Sequence, residues 1–226
     1  MQPRTAEARS FAPDLFAFLR ELREHNDREW FKARKDRYEA AAKEPALAFV
    51  EDCAHLLPAV SPYLVADERS LFRIHRDTRF AKDKSPYKTH VGIAFRHAAG
   101  ADAPALYLHL EPGHVFMGAG IWHPGTAQLK LIRDAIVARP DDWRAAVTGV
   151  APLWTLGQGE ALKRAPAGYA KDHPLVEDLK RKSFAVISRL TQTEVTGRGF
   201  LAEWERRAHD ARPFMAFVCS ALRVSY

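Results

Sequence analysis

Residues 105–121 read Ala105-Leu106-Tyr107-Leu108-His109-Leu110-Glu111-Pro112-Gly113-His114-Val115-Phe116-Met117-Gly118-Ala119-Gly120-Ile121, and their alternation decides the fold class. Two short runs, Leu106–Glu111 and Val115–Trp122, change character at every step, the period of strands half-buried on one face. Pro112-Gly113 between them is a tight-turn dipeptide. With that dipeptide at the turn centre, Glu111 faces His114, His109 faces Phe116 and Tyr107 faces Gly118. Leu106, Leu108, Leu110, Val115, Met117, Ala119 and Ile121 then share the core face. The opposite face carries Tyr107, His109, Glu111, Phe116, Gly118 and Gly120, and a neighbouring strand at Val91–Arg96 adds His90, Gly92, Ala94 and Arg96 on its non-core side. Polar groups alternate there with missing side chains, so Gly92, Gly118 and Gly120 either floor a cleft or admit a packed helix.

Working outward, further strands are predicted at Leu71–Arg76 and Phe184–Leu190. Ahead of them the period is helical. Leu15, Phe16, Phe18, Leu19 and Leu22 recur at three- and four-residue spacing after Pro13-Asp14, and the pattern runs out at His25-Asn26. Asn26, with Glu29 three residues on, predicts a capping box opening a second helix over about Asp27–Lys43. Pro45 opens a third, which Pro58 is expected to stop. Beyond Trp122-His123-Pro124-Gly125, helices are expected around Leu129–Val137, Trp143–Val147 and Thr196–Val218, the last interrupted at Pro213, with a loop from Gly157 to Gly168. The expectation is α+β: a mainly antiparallel sheet flanked by N-terminal and C-terminal helices. No linker or repeat divides residues 1–226, so one domain is expected, helical over about 12–60, sheet over about 70–123 and mixed over about 125–226.

The chain has 226 residues, 47% hydrophobic and 27% charged, a balance that excludes disordered, collagenous and fibrous classes. No apolar run approaches the ~18 residues of a membrane span. Arg4, Glu7 and Arg9 occupy the place where a signal peptide needs apolar residues, so a cytoplasmic location and no membrane partner are expected. Cys53 and Cys219 lie in separate apolar helical patterns and are read as reduced, buried thiols.

The phosphate-cradling, dinucleotide, nucleophile-elbow and H-E-x-x-H zinc motifs are absent. His109-x-Glu111 matches half of the zinc-deaminase signature, but the P-C-x-x-C half is missing. His109 and Glu111 share a strand face with His114 opposite, and His75, His90 and His123 sit at strand ends, residue types that suit zinc, iron or manganese. Ten histidines in one chain produce such neighbours without purpose, so hydrogen-bonded or solvent-facing histidines are the simpler reading and no metal is assigned.

The net charge of +6 is concentrated. From Arg69 to His90, seven lysines and arginines face two aspartates, a surplus of five. The segment runs Arg73-Ile74-His75-Arg76-Asp77-Thr78-Arg79-Phe80-Ala81-Lys82-Asp83-Lys84-Ser85-Pro86-Tyr87-Lys88-Thr89-His90. Guanidinium donors fit phosphate or carboxylate oxygens, lysines add point charge, Asp77 can hold an arginine in place, and Tyr87 and Phe80 can stack on a base or ring. The alternative is a brace, with the arginines tied to helical carboxylates such as Glu29, Glu39 or Glu51.

This segment resembles a widespread bacterial family, also found within longer fungal proteins, marked by R-x-x-R-D-x-R-F-x-x-x-K-x-x-Y. Arg73, Arg76, Asp77, Arg79, Phe80, Lys84 and Tyr87 supply every specified position. The resemblance extends to Asn26 with Trp30-Phe31, to Tyr107, His109, Glu111 and Pro112, to Gly118, Gly120, Trp122 and Pro124, and to Pro166, Gly168 and Tyr169. It implies that the basic loop defines the family, and carries no reaction or cofactor with it.

Three functions follow. The first is a site for an anionic small molecule or nucleotide, in which Arg73, Arg76, Asp77, Arg79, Lys84, Tyr87, Lys88 and His90 bind the ligand while His109 or Glu111 moves a proton in hydrolytic or transfer chemistry. The second is a non-catalytic nucleic-acid-binding module that adds Lys163, Arg164, Lys171, Lys180, Arg181 and Lys182. The third is the brace, with no ligand. The binding role requires the guanidinium groups to open on a cavity; arginines saturated by buried carboxylates would make the loop architecture.

Overall fold

The computed structural model describes residues 10–150 and 152–226; the reading of Arg4, Glu7 and Arg9 lies outside them. Helix α1 (Pro13–Glu24) buries Leu15, Phe16, Phe18, Leu19 and Leu22, the stripe that the spacing predicts. The expected second helix is broken into α2 (Arg28–Ala33), α3 (Lys35–Tyr38) and a π-helical turn at Glu39–Lys43 that leads into α4 (Glu44–Val60). The break falls at Arg34, whose backbone leaves the helical region while its guanidinium lies over the Trp30 ring. The cap is also shifted by one residue: Asp27, not Asn26, accepts from the N–H groups of Glu29 and Trp30. Pro58 does not stop α4: it lacks the N–H that would bond the Ala54 carbonyl, yet the helix runs two residues further to Val60 and closes through the Ser61 N–H on the Leu57 carbonyl.

A six-stranded antiparallel sheet follows, in the order β1-β2-β3-β4-β6-β5: β1 Leu64–Val65, β2 Val91–His97, β3 Ala105–Glu111, β4 His114–Ile121, β5 Thr155–Leu156 and β6 Phe184–Leu190. The hairpin register is as the alternation predicts, with Glu111 opposite His114, His109 opposite Phe116 and Tyr107 opposite Gly118. All seven apolar residues assigned to the core face are buried. The expected strand Leu71–Arg76 is reduced to two isolated bridges, Leu71 to Ile93 and His75 to Tyr87. Pro86, facing this segment, offers a carbonyl to the Arg76 N–H but has no donor to return, so the ladder does not propagate.

After the sheet come α5 (Thr126–Ala138), α6 (Pro140–Thr148), the short α7 (Val176–Leu179), α8 (Gln192–Thr196), α9 (Phe200–Asp210) and α10 (Arg212–Ala221). Pro213 lies in the first turn of α10 rather than interrupting a helix. Helices α1, α4, α9 and α10 contact one another or the sheet. Phe49 of α4 and Phe95 of β2 both meet Trp204 of α9 edge-on, at 5.8 and 5.1 Å between ring centroids, so one ring ties the two helices to the sheet. Among the described residues no helix is long and apolar enough to cross a membrane.

The other sheet face is floored as the glycines require. A Cβ on Gly92 would stand 2.8 Å from the Tyr107 hydroxyl and 3.1 Å from Phe72, and one on Gly118 would meet Ile187 and Tyr107. Side chains of neighbouring segments, not a helix, fill the space these glycines leave.

Candidate functional site

The basic loop lies between β1 and β2 in the chain and packs back on the junction of α1 and α2. Asn26, at the junction of these helices, accepts the Tyr87 N–H and donates to the Tyr87 carbonyl, both at 3.0 Å. Tyr87 is thereby drawn inward, buried and stacked on Phe31 at 4.0 Å between centroids. Its ring packs in the core against Phe31 while the residue also borders the adjacent cleft.

Beside this anchor lies a cleft of about 340 Å³ lined by Arg23, Asn26, Arg76, Asp83, Ser85, Tyr87, Lys88, Thr89 and His90. The structure therefore brings together four of the expected ligand-binding residues, Arg76, Tyr87, Lys88 and His90, and adds Arg23, Asn26 and Thr89. Arg76 is paired with Asp83 and donates to the Ser85 carbonyl at 3.2 Å. The Lys88 ammonium donates to the Arg73 carbonyl at 2.7 Å, and burial together with repulsion from Arg73 holds it below its ordinary pKa. Burial, then the neighbouring His109, pushes His90 down to about 4, so its imidazole is neutral at pH 7.

The other loop residues do not line the cleft. Asp77 takes the Arg79 guanidinium through two bonds at 3.0 and 2.7 Å, which with the Arg79 backbone N–H keeps its carboxyl below the usual range. Lys84 donates to the Thr78 carbonyl at 2.9 Å. Arg73 is exposed, and Phe80 is 95% exposed. The carboxylates that pair with the loop are its own Asp77 and Asp83, both exposed; among the described residues no ion pair joins it to Glu29, Glu39 or Glu51.

His109 and Glu111 lie behind the cleft wall on β3. Glu111 Oε1 accepts from Arg23 and from Thr89, both at 3.1 Å, and Oε2 is 3.3 Å from His109 Nε2. Burial alone would raise Glu111, but bonds from His109 and Thr89 and the charge of Arg23 outweigh it and keep the carboxyl low. Burial holds His109 below its ordinary value despite Glu111, and its Nδ1 meets the Tyr107 hydroxyl at 3.0 Å. The His90 and His109 rings are 4.5 Å apart, so cleft and strand cluster are contiguous. Arg23 escaped the sequence reading because its contact with Glu111 spans 88 residues; Asn26 was legible as polar at a helix junction but with the wrong partner.

Helices packed on an antiparallel sheet, with a cleft lined by Arg23, Arg76 and Lys88 beside it, make this an α+β protein. The chain belongs to the family described as conserved hypothetical protein (DUF2461), whose model matches residues 14–217. No curated protein matches it.

Proposed function

We propose that the protein binds a small phosphate-bearing or other anionic ligand in the cleft formed by Arg23, Arg76, Lys88 and His90. The observation that carries this reading is Lys88, which lines the cleft and, among the described residues, faces no carboxylate at ion-pair distance. An ammonium taken partly out of water without a counter-charge is what an incoming anion compensates. Asn26 and Thr89 add neutral polar groups, and Asp83 competes with the ligand for Arg76. The neutral His109 beside the ionised Glu111 supports hydrolytic or transfer chemistry, because an imidazole in that state accepts a proton.

Calorimetric titration with inorganic phosphate, pyrophosphate and a nucleoside monophosphate tests the reading. Lys88→Ala is expected to weaken binding about tenfold or more, whereas Asp83→Asn, which frees Arg76, strengthens it. No binding by the wild-type protein, or identical affinity in both variants, contradicts it.

One observation favours a second reading. Phe80 stands exposed with the Arg79 guanidinium 5.9 Å from its ring centroid, a platform suited to stacking a base of single-stranded nucleic acid. The remaining cations of that reading give less support, since Lys180, Arg181 and Lys182 are paired with Glu177, Asp178 and Glu160. Oligonucleotide binding that falls steeply with salt and is lost in Phe80→Ala would favour it.

A further inference from the structure

We propose that the β3–β4 hairpin carries a binding site for one divalent transition-metal ion of the zinc or iron(II) type, with His109, Glu111 and His114 as ligands. All three ligands come from the hairpin, and a loss of anion binding in the cleft leaves the inference standing. Its origin is the two-residue turn. Residues 109 and 111 share a face because side chains alternate along a strand, and Pro112-Gly113 returns the chain so that His114 lies opposite Glu111. Glu111 Oε2 consequently stands 3.3 Å from His109 Nε2 and 3.8 Å from His114 Nδ1, and one ligand atom from each of the three residues lies within 4.8 Å of the others. Two atoms each about 2.1 Å from one ion, at tetrahedral or octahedral angles, are roughly 3.0–3.4 Å apart. The His109–Glu111 pair, one buried and one half-buried, already has that separation, and the exposed His114 ring closes the remaining difference by rotating about its side-chain bonds.

The second polar atom of each inner ligand is separately held. His109 Nδ1 meets the Tyr107 hydroxyl at 3.0 Å, and Glu111 Oε1 is held by Arg23 and Thr89. Without an ion the His109 Nε2–H donates to Glu111; because a hydroxyl both donates and accepts, the proton can move to Nδ1 and be donated to Tyr107 when an ion takes the Nε2 lone pair. Two imidazoles and one carboxylate select a borderline transition ion over magnesium or calcium, and three protein ligands with exposed His114 leave positions for water or substrate.

The test is titration of EDTA-stripped full-length protein with Zn²⁺ by calorimetry and with Co²⁺ by visible absorption, in a buffer free of phosphate. One ion per chain is expected, with Co²⁺ bands of a nitrogen- and oxygen-ligated centre. Glu111→Gln and His114→Ala, the latter at an exposed position, are each expected to weaken binding at least tenfold, and Tyr107→Phe to weaken it 10–100-fold, as loss of a ligand's orienting partner does. His173→Ala, in the segment ahead of α7 with its ring accepting the Leu175 N–H, leaves it unchanged. Circular dichroism confirms that each variant is folded. Absence of Co²⁺ bands at saturating metal, or affinities unmoved by both Glu111→Gln and His114→Ala, overturns the proposal.

Discussion

Asn26 and Tyr87 form a closed pair: the Asn26 side-chain amide accepts from the Tyr87 N–H and donates to the Tyr87 carbonyl, each bond 3.0 Å long. A side chain thus does what a neighbouring strand would do, and fixes the C-terminal end of the basic loop to the α1–α2 junction. Replacing Asn26 by Ala leaves two partly buried backbone groups without their partner, at a cost of about 1–3 kcal/mol. Asn26→Asp keeps the acceptor but loses the donor and does not restore stability. Urea unfolding of both variants, with limited proteolysis of the loop over residues 73–88, checks this; wild-type midpoints in both would show that the pair contributes nothing.

Tyr87 is a packing residue at the cleft wall. Tyr87→Ala is expected to destabilise the fold by about 3–5 kcal/mol, as for other buried aromatics, while Tyr87→Phe retains the stack on Phe31 and anion affinity within twofold. A large loss of affinity in a stable Tyr87→Phe protein would return the ring to the role of ligand contact.

Two arginines separate surface pairing from structural pairing. Arg79 and Asp77 are exposed, so water competes for both and Arg79→Ala leaves the unfolding midpoint within experimental scatter. Arg207 is buried and joins α9 to Glu194 of α8 at 2.9 Å and to Ser188 of β6 at 2.8 Å. Arg207→Met is expected to cost on the order of 3 kcal/mol, because the remaining partners lose a buried charge. A comparable loss in Arg79→Ala would revive the brace reading of the loop.

Burial raises both thiols, Cys219 to about 12, with a direct consequence for alkaline stability. Each folded thiol holds its proton more tightly than the unfolded one, whose pKa is near 9. Their contribution is therefore complete below about pH 9 and declines as pH rises toward 12. Denaturant titrations at intervals above neutrality should show that decline, smaller in Cys219→Ala. A thiol reagent near neutral pH should modify neither cysteine until the chain is unfolded; rapid labelling of the folded protein would contradict the burial.

The hairpin was legible because alternation and a Pro-Gly turn together leave one register. Helices α1, α4 and α5 were legible because their apolar stripes are long. Strands β1 and β5, two residues each, are too short to show a period. The segment Leu71–Arg76 looked like a strand by composition, and only the position of Pro86 across from it shows why its pairing stops. For the site, Arg76, Lys88, His90, His109 and Glu111 were recognisable as chemistry-bearing residues near one another in the chain. Arg23 and Asn26 join them through tertiary contact, which local pattern does not encode. Arg79, Lys84 and Arg73 carried the same charge signal as Arg76 but do not line the cleft, since charge density in a sequence does not specify direction.

The most direct measurement of the central claim is anomalous diffraction from crystals soaked in tungstate, a heavy tetrahedral oxyanion. An anomalous peak in the cleft, within hydrogen-bonding distance of Lys88 and of Arg76 or Arg23, and absent from Lys88→Ala crystals soaked identically, is the predicted result. A cleft without a peak, or a peak that persists unchanged in Lys88→Ala, would contradict it.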